Sequence, residues 1–164
     1  MEEIYKKYIL LNKQNVPRET LLDFESFIAM MVSRNKEINL ISKKTANNET
    51  IRARHIIDSA QIIDFVDLNN KILTDIGSGG GMPGIILAIM TKNMKKTIKI
   101  NLYEKSHHKS LFLREVAKKL SLNAEVIQKN IFNEQNLDSG TIMTRAFKPL
   151  PIVLDLVFKN FKNY

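Results

Sequence analysis

The sequence predicts an α/β domain in which a parallel sheet carries helices on both faces. Three observations predict this fold class: an apolar, β-branched run at residues 72–76, a glycine-rich loop directly after it, and a strand–helix alternation that continues to the end of the chain. Parallel strands joined by right-handed helical crossovers are the arrangement that such an alternation produces. At 164 residues, the chain is long enough for one domain with its own core.

The strand and helix patterns alternate in order. Strand patterns lie at residues 72–76, 97–103, 124–128 and 141–144. Apolar residues recur at helical spacing in three segments: one that Pro83 opens before residues 85–90, one at 107–120 and one at about 149–161. The turn at residues 138–140 separates the third and fourth strands.

Residues 1–66 are expected to be helical and to flank an α/β core at 67–164, so that residues 1–164 form a single domain. A short helix is predicted at residues 4–11, and Pro17 opens a longer one. Asn47 or Asn48 is expected to cap a third. The sequence between the helical part and the core shows no pattern of a flexible linker.

Composition limits the classes of function. The net charge of +8 and the pI near 9.6 predict a polyanionic partner, although the same lysines could form solvated faces. The absence of cysteine excludes disulfides, thiolate metal sites and a cysteine nucleophile, and the three histidines have no paired-ligand spacing, so no metal is expected. With no apolar run of membrane-spanning length and no signal pattern at Met1-Glu2-Glu3, we expect a cytoplasmic protein without a membrane partner.

The glycine-rich loop is the strongest indication of a ligand. Five of the six glycines lie between Gly77 and Gly84, more than a tight turn needs. Within them, Gly79-x-Gly81-x-x-Gly84 matches the dinucleotide-binding fingerprint. The overlapping pattern Asp75-x-Gly77-x-Gly79-x-Gly81 instead fits the first motif of methyltransferases that use S-adenosylmethionine (SAM).

Two details favour SAM. The carboxylate of Asp75 could order the loop or meet the methionine ammonium group. Pro83 lacks a backbone N–H at the helix start, where a pyrophosphate would need a donor. SAM has no phosphate and loses nothing there.

Further candidates lie at the expected carboxyl edge of the sheet. Glu104 ends the second strand, where a carboxylate can accept hydrogen bonds from both ribose hydroxyls of either ligand. Arg145 follows the fourth strand; a salt bridge that fixes the loop is the alternative role. In the polar cluster at 54–59, Arg54 and Asp58 are four residues apart, which permits a simple ion pair beside His55.

Four motifs together resemble a known family. Arg54-His-Ile-Ile-Asp-Ser59, Asp75-Ile-Gly-Ser-Gly-Gly-Gly-Met-Pro-Gly84, Phe112-Leu-Arg-Glu-Val116 and Thr144-Arg-Ala-Phe147 occur in this order. They are similar to motifs of the RsmG (GidB) family, bacterial methyltransferases of 16S ribosomal RNA (rRNA), and Asn39-Leu40 also resembles a family signature. The resemblance covers about residues 20–158.

The resemblance implies a Rossmann-like SAM-dependent methyltransferase fold with an N-terminal helical extension. The family methylates N7 of one guanine in 16S rRNA, so the expected partner is 16S rRNA or a small-subunit precursor, bound by a monomer. Family members continue into further strands, and we expect an α/β core that lacks these C-terminal strands.

The resemblance also assigns residues. The SAM contacts carried over are Gly77, Met82, Ile131, Phe132 and Arg145, although many members have an acidic residue where Phe132 stands. Asp75, Gly79 and Glu104 join them as cofactor-binding candidates, and Arg54 and His55 are expected near the RNA. No catalytic base is expected, because guanine N7 has a free lone pair and needs only orientation.

Two other functions stay open from the sequence. An NAD(P)-binding oxidoreductase would use the glycine fingerprint. A catalytically inactive RNA-binding fragment would keep salt-sensitive RNA binding without methyl transfer.

Overall fold

Four parallel strands form the predicted sheet, within the residues 16–163 that the computed structural model describes. In chain order, the strands of this part of the chain are β1 (Ile72–Ile76), β2 (Lys99–Tyr103), β3 (Ala124–Ile127), β4 (Leu137–Asp138), β5 (Thr141–Met143) and β6 (Phe161–Asn163). The large sheet has the spatial order β3-β2-β1-β5, so the strand that precedes the glycine loop is central. Its carboxyl edge therefore brings together the loops that follow β1, β2, β3 and β5.

The two faces of the sheet bury different apolar clusters. Leu73, Ile100 and Leu102 point into the larger cluster, whereas Ile76 and Tyr103 point into the smaller one. This division follows from the alternation of side chains along a strand. Both faces are covered, as a parallel sheet requires.

Within the described residues, six α-helical segments surround the sheet: α1 (Arg18–Arg34), α2 (Asn48–Ile51), α3 (Asp58–Ala60), α4 (Gly84–Asn93), α5 (His107–Lys119) and α6 (Leu150–Asn160). Every residue of α4 from Gly84 to Thr91 is buried, because the helix is apolar all round and lies between α1 and the sheet. Helix α6 contributes Val153 and Leu156 to the smaller cluster on the other face. Across residues 16–163, no helix combines the length and the apolar character needed to cross a membrane.

The helical flank contains a feature that the sequence did not predict. Between α2 and α3, residues Arg52–Ile57 form a π-helical turn. The predicted cap is confirmed at Asn47, whose side chain accepts a hydrogen bond from Thr50 N at 2.8 Å. Nε of Arg52 donates to Oε1 of Glu25 at 2.6 Å, which ties the π-helical turn to α1. The helix predicted at residues 4–11 lies outside the described residues.

The short strands β4 and β6 were also not predicted. They pair in parallel as a separate ribbon, where the sequence indicates only a turn beginning at Asp138 and a helix continuing to 161. The side chain of Asn160 ends α6 by donating to the carbonyl oxygens of Ile131, at 3.2 Å, and Glu134. These contacts join segments distant in the chain, and strands this short leave no periodicity in the sequence.

Candidate functional site

The glycine loop is fastened to the end of β2. The backbone N–H groups of Gly77 and Ser78 both donate to the carbonyl oxygen of Tyr103, at 2.9 and 3.0 Å. Gly77 has φ +75°, a left-handed conformation that glycine adopts without steric cost. The loop is thus held open at the carboxyl edge of the sheet.

Asp75 stabilises the glycine loop by binding the backbone at the start of α4. Its side chain is fully buried, and Oδ2 accepts a hydrogen bond from Gly84 N, the first residue of α4, at 3.0 Å. Burial raises the pKa of Asp75 to about 7, against the opposing effect of the Gly84 hydrogen bond. Of the two roles that the sequence leaves open for Asp75, this geometry corresponds to ordering the loop.

Glu104 links the loop to the start of α5. Its Oε2 accepts from Gly79 N at 2.9 Å, and its Oε1 accepts from Ser106 N at 2.7 Å. Each carboxylate oxygen can accept a second hydrogen bond. The group is thus fixed by the backbone and still has acceptor capacity for a ligand.

A pocket of about 570 Å³ opens at this edge. Small-molecule sites typically have volumes of roughly 300–1,000 Å³. The pocket walls include the predicted residues Gly77, Gly79, Met82, Glu104, Ile131, Arg145 and His55. The other three predicted residues, Asp75, Phe132 and Arg54, do not line it.

Arg145 joins the end of β5 to the helical flank. Its Nη2 donates to Nδ1 of His55 at 2.5 Å, and its Nη1 donates to the carbonyl oxygen of Arg54 at 3.2 Å. The π-helical turn presents both acceptors, and such turns occur frequently at functional sites. Arg145 therefore spans the pocket from the sheet to the flank.

His55 is held in its neutral form. Burial lowers its pKa below the ordinary value of 6.5, and the positive charge of Arg145 lowers it further. Asp58 opposes this effect and Arg54 adds to it. Because Nδ1 accepts the hydrogen bond from Arg145, Nε2 carries the ring proton; it is buried and has no partner within the described residues.

The ion pair that the sequence permits between Arg54 and Asp58 does not form in the described part of the chain; both side chains are exposed. The reason is local geometry. A spacing of four residues aligns side chains on an α-helix, but residues 52–57 are π-helical, which shifts this alignment.

One wall of the pocket was missed by sequence reasoning. Leu40 and Ile41 lie in the loop after α1 and line the pocket. Asn35 fixes this loop, because its Oδ1 accepts from the backbone N–H groups of Leu40 and Ile41 at 2.8 and 3.0 Å. The family signature at Asn39-Leu40 was the only indication in the sequence that this loop matters.

The pocket is also more basic than the predicted residues suggest. Lys105, Lys109, Lys129 and Lys148 line it, and of these Lys129 is paired with Glu134 at 2.9 Å. Four lysines at one opening create a positive potential that attracts polyanions. Among residues 16–163, no group of three or more histidine or acidic side chains could hold a metal ion.

Comparison with protein families gives a match over most of the chain. Residues 20–163 match the family model GidB, described as rRNA small subunit methyltransferase G. A protein of Pelagibacter ubique named ribosomal RNA small subunit methyltransferase G is 68% identical over 164 residues, which are 100% of this chain and 77% of that protein. A protein of the same name from Rickettsia rickettsii is 34% identical over 142 residues, 87% of this chain and 70% of its own length.

Solved structures support the fold. The structure of M. jannaschii TYW2 in complex with AdoMet matches with a TM-score of 0.53 at 19% identity, over 77% of this chain and 52% of that one. A mutant of MtNAS in complex with S-adenosylmethionine matches with a TM-score of 0.51 at 15% identity, over 85% and 55%. The chain thus spans about half the length of these two structures.

These likenesses confirm two predictions: the Rossmann-like methyltransferase fold and the family that the four motifs indicate. The family match includes the glycine loop, the π-helical turn and the segment that carries Arg145. The chain belongs to the GidB family, which is described as rRNA small subunit methyltransferase G.

Proposed function

We propose that this chain transfers a methyl group from SAM to N7 of a guanine in 16S rRNA. Family membership and the name of the Pelagibacter relative support a SAM-dependent methyltransferase of small-subunit rRNA. The choice of N7 rests on the family resemblance and on the chemistry of the site.

The hydrogen bonding at the start of α4 is the observation that supports SAM as the cofactor. Pro83 has no N–H, Gly84 N donates to buried Asp75, and Ile85 N donates to Gly81 O at 2.8 Å. A dinucleotide's pyrophosphate binds to free donors at a helix N-terminus. Because these donors are absent or already used, the site favours SAM over NAD(P).

The residues of the pocket fit SAM. Glu104, with free acceptor capacity at the tip of β2, would bind the ribose hydroxyls, and Ile131, Leu40 and Ile41 offer apolar surface for the adenine. The remaining cofactor contacts that we propose are Gly77, Gly79, Met82 and Arg145 from the pocket wall. Asp75 supports the loop through the hydrogen bond that it accepts from Gly84, and Phe132 would contact SAM through its backbone, next to Ile131. Bound SAM would supply a methyl group on a positively charged sulfonium.

The chain then has to orient the base and exclude water. Guanine N7 presents an unprotonated acceptor lone pair, so no side chain need remove a proton. Neutral His55 and the Arg145 that holds it serve this mechanism as positioning groups, and most of the rate would come from orientation. We propose that the chain acts as a cytoplasmic monomer, with Arg54 and His55 near the RNA.

The test is methyl transfer to small-subunit RNA or particles that lack the mark. N7-methylation makes the guanine ring labile, so borohydride reduction followed by aniline should cut the RNA at one guanine. Primer extension should show a stop at that position only after incubation with SAM. The rate should fall little at mildly acidic pH, because N7 needs no base.

Transfer to an oxygen or to an exocyclic amine would contradict the N7 assignment. RNA binding without any transfer would instead favour the catalytically inactive RNA-binding fragment. Saturable NADH binding would favour the oxidoreductase.

A further inference from the structure

Phe147 lies directly against the glycine loop. A Cβ atom added to Gly77 would be 2.2 Å from the Phe147 ring, so the ring touches the backbone of that glycine. The ring also lines the pocket and is only partly buried. An apolar ring therefore faces the space beside the loop.

The segment that carries Phe147 is held firmly. Thr144 Oγ1 donates to Ile76 O at 2.9 Å, and Arg145 contacts His55. Between them and the ring, Ala146 has φ +50°, a conformation that costs a non-glycine residue free energy. Strain of this kind persists where the surroundings impose it and is concentrated at functional sites.

A second aromatic ring extends this surface. Phe132 stacks on Phe147 with 5.9 Å between ring centroids and 26° between planes. The Phe132 side chain is 42% exposed, so the pair ends in an apolar surface open to solvent. An exposed aromatic pair beside a pocket is a surface on which a flat, apolar ligand can stack.

The charges next to the rings identify the ligand class. Lys148 follows Phe147 directly and lines the same pocket, as do Lys105 and Lys109. Aromatic rings interleaved with lysines are the combination that binds single-stranded RNA, where bases stack and phosphates pair with cations. The +8 charge of the chain favours the same partner.

We propose that Phe147 and the stacked Phe132 together form the platform on which the target guanine stacks, and that Lys148 binds a neighbouring phosphate. The inference rests on the proposed function and adds residues that recognise its substrate. In the proposed function Glu104, at the tip of β2, would bind the ribose, so the adenosine part of SAM would lie near the ends of β2 and β3. Phe147 follows β5, on the other side of β1 from β2, and its ring lies against Gly77 directly after β1.

The experiment measures RNA binding and cofactor binding separately. A short fluorescein-labelled RNA with one guanine among uridines is titrated with the chain in saturating S-adenosylhomocysteine. A second titration uses the same RNA with an abasic site in place of the guanine. Phe147→Leu should weaken binding of the guanine strand about tenfold, because one stacked base is lost. The abasic strand should bind both proteins equally.

The salt dependence of RNA binding distinguishes the contribution of the aromatic rings from that of Lys148. Phe147→Leu should leave the slope of log Kd against log salt unchanged, whereas Lys148→Gln should reduce it by about one contact. Phe147→Tyr keeps a stacking ring and should retain wild-type binding. The matched controls are Phe65→Leu, an 86% exposed ring that does not line the pocket, and Lys71→Gln, at the opposite edge of the sheet before β1.

The outcomes are distinct. Wild-type RNA affinity in Phe147→Leu, or equal loss in Phe65→Leu, overturns the platform while the proposed function stands. A loss confined to S-adenosylhomocysteine affinity also overturns it, because the ring would then bind adenine. If circular dichroism shows that Phe147→Leu does not fold, the wild-type protein and Phe147→Tyr are compared on the guanine strand and the abasic strand. Equal affinity of the wild-type protein for the two strands would overturn the proposal. If wild-type protein binds no S-adenosylhomocysteine, the proposed function itself fails.

Discussion

Arg145 donates a hydrogen bond to Nδ1 of His55 across 2.5 Å and so connects the last strand of the sheet to the π-helical turn of the helical flank. The two residues are 90 positions apart in the chain. This contact closes one side of the pocket and determines which nitrogen of His55 carries the proton.

The contact predicts a change in the pKa of His55. Burial lowers this pKa first, and the charge of Arg145 lowers it further, so Arg145→Ala should raise it toward 6.5 without restoring it fully. Titration of the three histidines by NMR, assigned with His107→Gln and His108→Gln, would measure it. An unchanged His55 pKa in Arg145→Ala would mean that the two side chains are not in contact.

The buried carboxyl of Asp75 should give the stability of the folded chain an unusual dependence on pH. Its pKa is about 7 in the folded chain and close to 3.8 when unfolded. Between these values the folded state binds the proton and the unfolded state does not, so this group lowers the unfolding free energy as pH rises. The decrease is at most about 1.4 kcal/mol per pH unit and ends near pH 7.

Urea denaturation at several pH values would test this. Asp75→Asn cannot titrate, so the wild-type unfolding free energy should fall relative to the variant from about pH 4 to about pH 7. The comparison removes the contribution of His55, whose lowered pKa acts in the opposite direction by costing stability as pH falls below 6.5. Parallel pH profiles would show that the Asp75 carboxyl has an ordinary pKa.

The contact between Gly77 and Phe147 predicts a specific steric cost. Both Gly77→Ala and Gly79→Ala place a side chain in a left-handed conformation, at roughly 1–2 kcal/mol each. Only at Gly77 does the new Cβ meet a ring; at Gly79 the nearest atom is 3.7 Å away. Gly77→Ala should therefore lower the unfolding free energy by about 1–3 kcal/mol more than Gly79→Ala.

A double variant isolates that cost. In a Phe147→Ala background the ring is absent, so the two glycine substitutions should become nearly equal in their effect on unfolding free energy. If Gly77→Ala still lowered the unfolding free energy more than Gly79→Ala in this background, the extra cost at Gly77 would come from its backbone conformation and not from the Phe147 ring.

We expect Arg54 to contribute to RNA binding through its positive charge. Its side chain is exposed beside the pocket, and its carbonyl oxygen is held by Arg145. Arg54→Gln should reduce the salt slope of RNA binding by about one phosphate contact. The control is Lys71→Gln, which removes the same charge at the opposite edge of the sheet; equal slopes for wild type and Arg54→Gln would remove Arg54 from the RNA surface.

The sequence predicted the parts of the fold that depend on local patterns. Residues 72–76 alternate between two buried faces, and the glycine loop follows them at once, so the position of β1 and of the pocket could be read directly. Glu104 and Arg145 were predicted to lie near the ligand because parallel strands end at one edge, and both line the pocket.

What the sequence could not predict depends on contacts between distant segments. The π-helical turn at 52–57 carries the acceptors for Arg145, and nothing in residues 52–57 alone distinguishes it from an α-helix. The pairing of β4 with β6 likewise joins segments distant in the chain, and the neighbouring hydrogen bond from Asn160 to Ile131 spans 29 positions. Phe147 was visible as part of a motif, but only the folded chain brings its ring onto Gly77.

Calorimetric titration of the 164-residue chain with S-adenosylhomocysteine tests the central claim most directly. We expect saturable binding of one molecule per chain, weakened by Glu104→Ala. We expect no saturable heat with NADH, because Pro83 has no N–H and the N–H groups of Gly84 and Ile85 already donate within the chain. Saturable binding of NADH, or no binding of S-adenosylhomocysteine by the folded chain, would contradict it.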